Sequence, residues 1–327
     1  MHVLITGASG YIGRALTQRL LDDGHTVLAM VRRPDPNLPA PAEQWPVADI
    51  CALPADSAHR LRSVDCVIHC AARVHVMRET QAMPIHAFRQ VNVDATLALA
   101  RIAAAAGVRR FVFLSTIGVN GSDSSAGAFR HDDPPRPASP YAVSKREAEQ
   151  ALDALASDSK MQTMHIRPPL VYGRGAPGNF ALLRKAVASG LPLPLGALHH
   201  ARSFVSLDNL VDLLAHLVTW PGNGRGAYLV SDGQDLSTTE FVRAIGLAMG
   251  KRPRLLPIPQ SLLTALAGLL GRAEQIRKMA VPLTLDIART RTELGWTPPW
   301  SVQQSLQRAL GAPDNPATSP ERGRSLP

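Results

Sequence analysis

The chain has 327 residues, enough for one large domain or two smaller ones with a sizeable core. Hydrophobic residues make up 45% and charged residues 19%, ordinary values for a soluble globular protein. The formal charge of +9 sits mostly on scattered arginines, with no basic run interleaved with aromatics. That pattern speaks against nucleic-acid binding and suits an anionic substrate such as a nucleotide diphosphate. Cys51, Cys66 and Cys70 form no zinc-like spacing and cannot all pair, so no metal site is expected and a reducing compartment is. Met1 to Gly7 enters a strand at once, leaving no room for a signal peptide, so a cytoplasmic location is expected.

The elements alternate through the first half. His2 to Thr6 is a short apolar run, followed by glycines and a helical pattern through Tyr11 to Leu21 that Gly24 ends. Thr26–Val31 and Asp65–His69 read as the next strands. A long alanine-rich helix is predicted from Pro84 to Ala106, stopped by Gly107. Arg110–Ser115 reads as a strand, a helix begins around Tyr141, and a further strand runs through His165 and Ile166 to Arg167. This order predicts an α/β fold: a doubly wound parallel sheet covered by helices on both faces.

Beyond Gly173 glycine and proline become frequent, which predicts a smaller mixed α/β lobe over 174–310, after a dinucleotide-binding domain over 1–173. Leu262 to Leu270 is too short to span a bilayer and reads as a buried or partner-facing helix; no integral membrane segment is expected. Residues 311–327 are rich in Pro, Ser and Arg and read as a disordered tail.

Gly7-Ala8-Ser9-Gly10-Tyr11-Ile12-Gly13 joins the first strand to the first helix. Glycines there let a pyrophosphate approach backbone N–H groups at the helix N-terminus, so the segment is a candidate dinucleotide loop. The second strand closes with Val31, Arg32 and Arg33 and carries no acid to hold a ribose 2′-hydroxyl. Guanidinium groups favour a 2′-phosphate, so NADP is preferred over NAD. Asp49 and Ile50, after the third strand, are candidates to flank the adenine. Tyr141 and Lys145, at i and i+4, share one helix face. An ammonium beside a phenol is expected to lower the tyrosine pKa and make it a proton carrier.

With these pieces assembled, the chain resembles the extended short-chain dehydrogenase/reductases, the nucleotide-sugar epimerase/dehydratase family. The match also rests on Val67 to Ala72, Val91-Asn92-Val93, Leu114-Ser115-Thr116, Arg167 to Gly173, Arg202 to Asp208 and Leu294 to Pro298, in family order over about 300 residues. The resemblance implies that Tyr141 is the acid/base, that Lys145 holds the nicotinamide ribose, and that Thr116 bonds the reacting oxygen, with Ser115 as the fallback. It implies that Ala71 and Ala72 let the cofactor lie close, that Asn92 steadies nearby backbone and that Pro168 flanks the cofactor. Asn179, Phe180, Leu195 and Arg202 would hold a UDP-sugar. Arg277 or Lys278 would be further candidates for phosphate. By analogy a homodimer is expected, through the helices at Pro84–Ala106 and Tyr141–Ala156.

Departures narrow the chemistry. The family's sugar dehydratases carry Asp-Glu directly after the catalytic threonine; Ile117 and Gly118 stand there, and neither transfers a proton. Reduction of a UDP-4-keto-6-deoxy-N-acetylhexosamine at C4, for surface polysaccharide, is the leading expectation. UDP-hexose 4-epimerisation is the alternative, followed by reduction of a non-nucleotide ketone and by a silent NADP-binding regulator.

Overall fold

A computed structural model describes residues 1–74, 84–269, 276 and 279–311. The expected tail beyond 311, and Arg277 and Lys278, lie outside the described residues. In chain order, β1 (His2–Thr6), α1 (Tyr11–Asp22), β2 (Thr26–Val31), β3 (Glu43–Pro46), α2 (Ser57–Leu61) and β4 (Cys66–His69) come first. Then follow α3 (Pro84–Arg89), a π-turn (Gln90–Asp94), α4 (Ala95–Ala105), β5 (Arg110–Leu114), a 3₁₀ turn (Ile117–Val119), α5 (Pro140–Ser157) and β6 (Gln162–Arg167). The chain continues through β7 (Leu170–Tyr172), α6 (Asn179–Ser189), β8 (Ala201–Ser206), α7 (Leu207–Thr219), β9 (Gly226–Leu229), β10 (Asp235–Ser237), α8 (Thr238–Ala248) and α9 (Gln260–Leu269). Among the described residues, α10 (Ala288–Leu294) and α11 (Val302–Leu310) come last.

Seven parallel strands form the main sheet in the order β3-β2-β1-β4-β5-β6-β9. The order reverses at β1, and that reversal opens a crevice at the strands' carboxyl ends. The strands read as unbroken apolar runs because both faces are covered. Val3, Ile5, Val27 and Ala29 pack with Leu16 and Leu20 of α1 and Leu210, Leu213 and Leu214 of α7. Leu4, Leu28 and Met30 face the other way, against Leu99 and Ala103 of α4 and Leu152 of α5.

The predicted helix from Pro84 to Ala106 is broken in the middle by the π-turn. The extra residue per turn there swings Asn92 into the interior, where it is fully buried. Its amide Nδ2 donates to the Arg73 carbonyl and to Ser144 Oγ, and its Oδ1 accepts from the Arg73 N–H. The alanine-rich composition reads as one helix and cannot reveal that a widened turn is needed to aim one side chain.

A second, three-stranded sheet has the order β10-β8-β7. The two sheets do not divide the chain at residue 173: β7 belongs to the small sheet, while β9, much later, completes the large one. The lobe is tied down by the buried Asp232 carboxylate. It accepts from Tyr172 Oη at 2.5 Å, the Ser206 N–H at 2.8 Å and Asn209 Nδ2 at 2.7 Å. At the opposite end of the sheet Arg110 is 1% exposed and its guanidinium donates to the Leu217, Trp220 and Gly222 carbonyls and to Gln162 Oε1.

Arg110 therefore caps the last turn of α7 from within β5. Arg110→Met should cost about 3 kcal/mol, because it leaves three carbonyls without donors. Urea unfolding followed by circular dichroism measures this; a change under about 0.5 kcal/mol would show that solvent replaces the guanidinium.

Candidate active site

The loop after β1 is shaped by backbone contact rather than side chains. Gly7 has φ +65, and a Cβ on it would lie 2.9 Å from the Ala71 nitrogen. A Cβ on Gly13 would lie 2.2 Å from the Gly7 carbonyl oxygen, so the helix can approach the strand only with glycine at 13. Gly10, the residue before α1, is extended and makes no side-chain cap, and the first turn of the helix holds no acid. Its N–H groups thus face the crevice uncapped, which favours an anion.

Above this loop lies a cavity of about 480 Å³. Gly7, Gly10, Arg32, Asp49, Ile50, Ala71 and Ala72 of the sequence-derived set line it, as does Cys70. The cradle that added Cβ atoms would fill, the uncapped helix end and a neighbouring cavity of about 630 Å³ lined by Arg32 and Arg33 fit a dinucleotide. The Ile12 side chain lies against the core and Gly13 is buried, so what these two offer the crevice is the backbone N–H groups of the first turn. Tyr11 lines an adjoining cavity with Gly10 and Arg14.

The floor at Ala71 is fixed by residues the sequence reading missed. Thr6 Oγ1 accepts from the Ala71 N–H at 3.1 Å and lies 2.8 Å from His69 Nδ1, while His69 Nε2 lies 3.0 Å from Thr96 Oγ1. Burial, with the nearby Lys145 charge second, pushes His69 down to about 3, so it stays neutral. A polar residue at the end of an otherwise apolar strand was the available signal.

Ser139 caps α5, its Oγ accepting the Ala142 N–H, and Pro140 opens the helix. Lys145 on this helix is 1% exposed; its Nζ donates to the Leu114 carbonyl at 2.7 Å and sits 4.1 Å from the Phe113 ring centroid. That bond stitches α5 to the end of β5. Burial brings Lys145 down to about 7, with Cys70 and Glu149 opposing the shift. The expectation that Tyr141 is lowered is corrected here: burial pushes the phenol up to about 12, and it stays protonated at neutral pH.

Thr116 and Ser115 part company. Thr116 is extended, at φ −158 and ψ 148, and its Oγ1 accepts the Gly118 N–H. A Cβ built on Gly118 would meet Ala142 Cβ at 3.3 Å and Thr116 Oγ1 at 3.5 Å, so the threonine loop lies directly against the first turn of α5. Ser115 points to the other side and donates to Glu149 Oε1 at 2.7 Å, which removes it from the expected substrate set. Pro168 is buried behind this loop, its carbonyl accepting the Ile117 N–H.

In the lobe, Asn179 is exposed at the start of α6. Phe180 is 1% exposed and packs against Tyr172 and Phe241, so its ring serves the lobe's core and not a ligand. Leu195 is 8% exposed in the same core. Arg202 Nη1 donates to the Val281 carbonyl, and burial brings its guanidinium down to about 10. Among the described residues no group of three His, Cys, Asp or Glu is placed to hold a metal, and no helix is long and apolar enough to cross a membrane.

This geometry has close counterparts. The model of the NAD dependent epimerase/dehydratase family matches residues 3–230. A UDP-glucose 4-epimerase of Vibrio cholerae is 38% identical over 316 residues, covering 95% of this chain and 94% of that protein. A UDP-glucose 4-epimerase of Mycolicibacterium smegmatis is 30% identical, covering 95% and 97%. Among solved structures, MoeE5 in complex with UDP-glucuronic acid and NAD superposes with a TM-score of 0.75 at 26% identity, over 95% of this chain and 98% of that one.

Gly13→Ala should weaken binding of NAD at least about 100-fold, since the helix must retreat from the strand. Calorimetric titration tests this; unchanged affinity would mean that the loop does not hold the dinucleotide. Lys145 sets a pH dependence. Its ordinary value of 10.5 falls to about 7 in the folded chain, so between these values the unfolded chain binds the additional proton. Stability from this group is therefore full above about 10.5 and is lost as pH falls towards 7. Relative to Lys145→Met, the wild type should gain stability as pH rises across that window. Parallel curves in paired urea titrations would contradict the lowered value of the buried lysine.

Proposed function

We propose, given that the chain belongs to the NAD dependent epimerase/dehydratase family, that it interconverts C4 epimers of a UDP-hexose. The observation that carries the reading is the Lys145–Leu114 stitch, which brings the Thr116 loop against the first turn of α5, beside the dinucleotide cavity. When bound, NAD supplies a reversible acceptor for hydride from the sugar carbon. The protein's own part is proton handling and orientation. Tyr141, as the phenolate left after its own proton passes to solvent, would take the C4 hydroxyl proton on the oxidising leg and return it on the reducing leg. Its protonated resting state suits the return to a ketone. The Thr116 hydroxyl bonds the same oxygen, and Lys145 stabilises the phenolate when it forms. Arg202 and Asn179 are the proposed diphosphate and base contacts.

Dehydration does not fit. Ile117 is 5% exposed in an apolar cluster with Leu229 and Leu283, and a side chain at Gly118 would press on Ala142. Neither position can carry a proton to C5 or C6. The UDP-glucose 4-epimerase relative at 38% identity supports epimerisation over the 4-keto reduction expected from sequence.

One observation keeps the reductase as a second reading. β2 ends at Val31 without an acid, and Arg32 lines the dinucleotide cavity, an arrangement that suits NADP and a cofactor that exchanges. Incubation with UDP-glucose and UDP-GlcNAc, without added cofactor, should yield the C4 epimers. Stoichiometric NADPH consumption with a 4-keto-6-deoxy UDP-sugar, and no epimer from the others, would replace epimerisation by reduction. Tyr141→Phe should lose about 1000-fold or more in turnover, while the cofactor dissociation constant changes less than about twofold. Turnover within about tenfold of wild type would remove Tyr141 from the proton path.

A further inference from the structure

One buried carboxylate joins four segments beneath the cleft. Glu149 is 0% exposed and lies one turn beyond Lys145 and two beyond Tyr141, on the same face of α5. Its Oε1 accepts from Ser115 Oγ at 2.7 Å and from Arg167 Nε at 2.9 Å; its Oε2 accepts from Arg167 Nη2 at 2.6 Å. Arg146 approaches Oε2 at 3.4 Å. Arg167, 3% exposed, uses its remaining Nη1 to donate to Asn120 Oδ1 at 2.9 Å, and Asn120 Nδ2 donates onward to the Arg130 carbonyl.

Three residues of this network stand beside the Thr116 loop. Ser115 precedes Thr116 in extended backbone, so holding one side chain down turns the next one up. Arg167 precedes Pro168, whose carbonyl accepts the Ile117 N–H. Asn120 ends the 3₁₀ turn that follows Thr116. A buried ion pair adds little to stability by comparison with apolar packing, so its placement here calls for another account.

We propose that Glu149 is a positioning residue: gripped by Arg167, it holds Ser115 and thereby sets Thr116 against Tyr141 and Lys145. The inference deepens the C4 reading and rests on it for the roles of Thr116 and Tyr141. Charge follows the same route. Lys145 faces Tyr141 and Glu149 from its own helix, the Leu114 carbonyl and Phe113 ring from β5, and His69 and Cys70 from the end of β4. Glu149 in turn faces Arg167 and His165 of β6, Ser115 just after β5 and Arg146 of α5. Glu149 is the carboxylate among the groups that favour the charged form of Lys145.

Three variants test this: Ser115→Ala, which leaves the ion pair intact; Glu149→Gln, which removes the charge; and Arg167→Lys, which keeps charge but loses the two-pronged grip. Each is assayed for kcat and KM with the UDP-sugar. In the cofactor-free protein each is also followed by hydrogen exchange over 116–120 and by the pH titration of the Lys145 Cε resonance. Ser115→Ala should melt near wild type and keep KM, yet lose about tenfold in kcat and exchange faster over 116–120 alone. Glu149→Gln should lose about 100-fold in kcat, and its Lys145 should give up its proton at lower pH. Arg167→Lys should lower kcat less than Glu149→Gln, with the Lys145 titration unmoved.

Ser115→Ala with wild-type kcat and wild-type exchange overturns the proposal. So does a Glu149→Gln protein that loses only melting temperature. If Glu149→Gln does not fold, Ser115→Ala decides alone. A wild-type protein that turns over no UDP-sugar would sink the C4 reading instead, and exchange and titration, which need no substrate, would still decide the positioning.

Discussion

Three stretches of backbone converge at the carboxyl end of β1: the Gly7 turn, the first turn of α1 at Gly13, and the chain leaving β4 at Ala71. Their separations leave no room for a Cβ at residues 7 or 13. This approach packs α1 down onto the sheet, so that Leu16 and Leu20 enter the core shared with α7. It also points the uncapped N–H groups of α1 into the crevice where the strand order reverses. The dinucleotide cavity and the core on that face thus share one steric origin.

The opposite side of the crevice is held by buried polar groups. Lys145 bonds the Leu114 carbonyl, Glu149 bonds Ser115 and Arg167, and Asn92 bonds the Arg73 backbone and Ser144. Each of these groups is satisfied, which is the condition for burying it without a large cost. Together they fix the ends of β5 and β6 and the segment after β4 against α5. A purely apolar arrangement could pack as well, yet it would not specify which way Thr116 and Ser115 turn. The lobe is anchored in the same manner, by Asp232 with Tyr172, Ser206 and Asn209.

Chemistry is narrowed as much by apolar residues as by polar ones. Ile117 is drawn into a cluster with Leu283, Leu285 and Ile287, closing the place where a dehydratase carries a proton donor. Gly118 fits between Thr116 and Ala142 and excludes a side chain. What the Thr116 loop and α5 keep in this region is one phenol, one hydroxyl and one buried lysine, the groups on which the proposed proton transfer rests. Phe180, a ligand candidate by motif, is spent on the lobe's aromatic core with Phe241.

By itself, the sequence determined the alternation of strands and helices, the glycine-shaped loop after the first strand and the placing of Tyr141 and Lys145 on one helix. These follow from short-range rules: apolar periodicity, glycine at a close approach, and i, i+4 spacing on a helix. Tertiary structure alone decided the rest. The π-turn at Asn92, the return of β9 to the large sheet, the opposite facing of Ser115 and Thr116, and the neutral His69 each depend on partners 19 or more residues away. It also decided the protonation of the central pair. Adjacent charges are legible from spacing, but desolvation is set by everything packed around a group, and here burial raises Tyr141 and lowers Lys145.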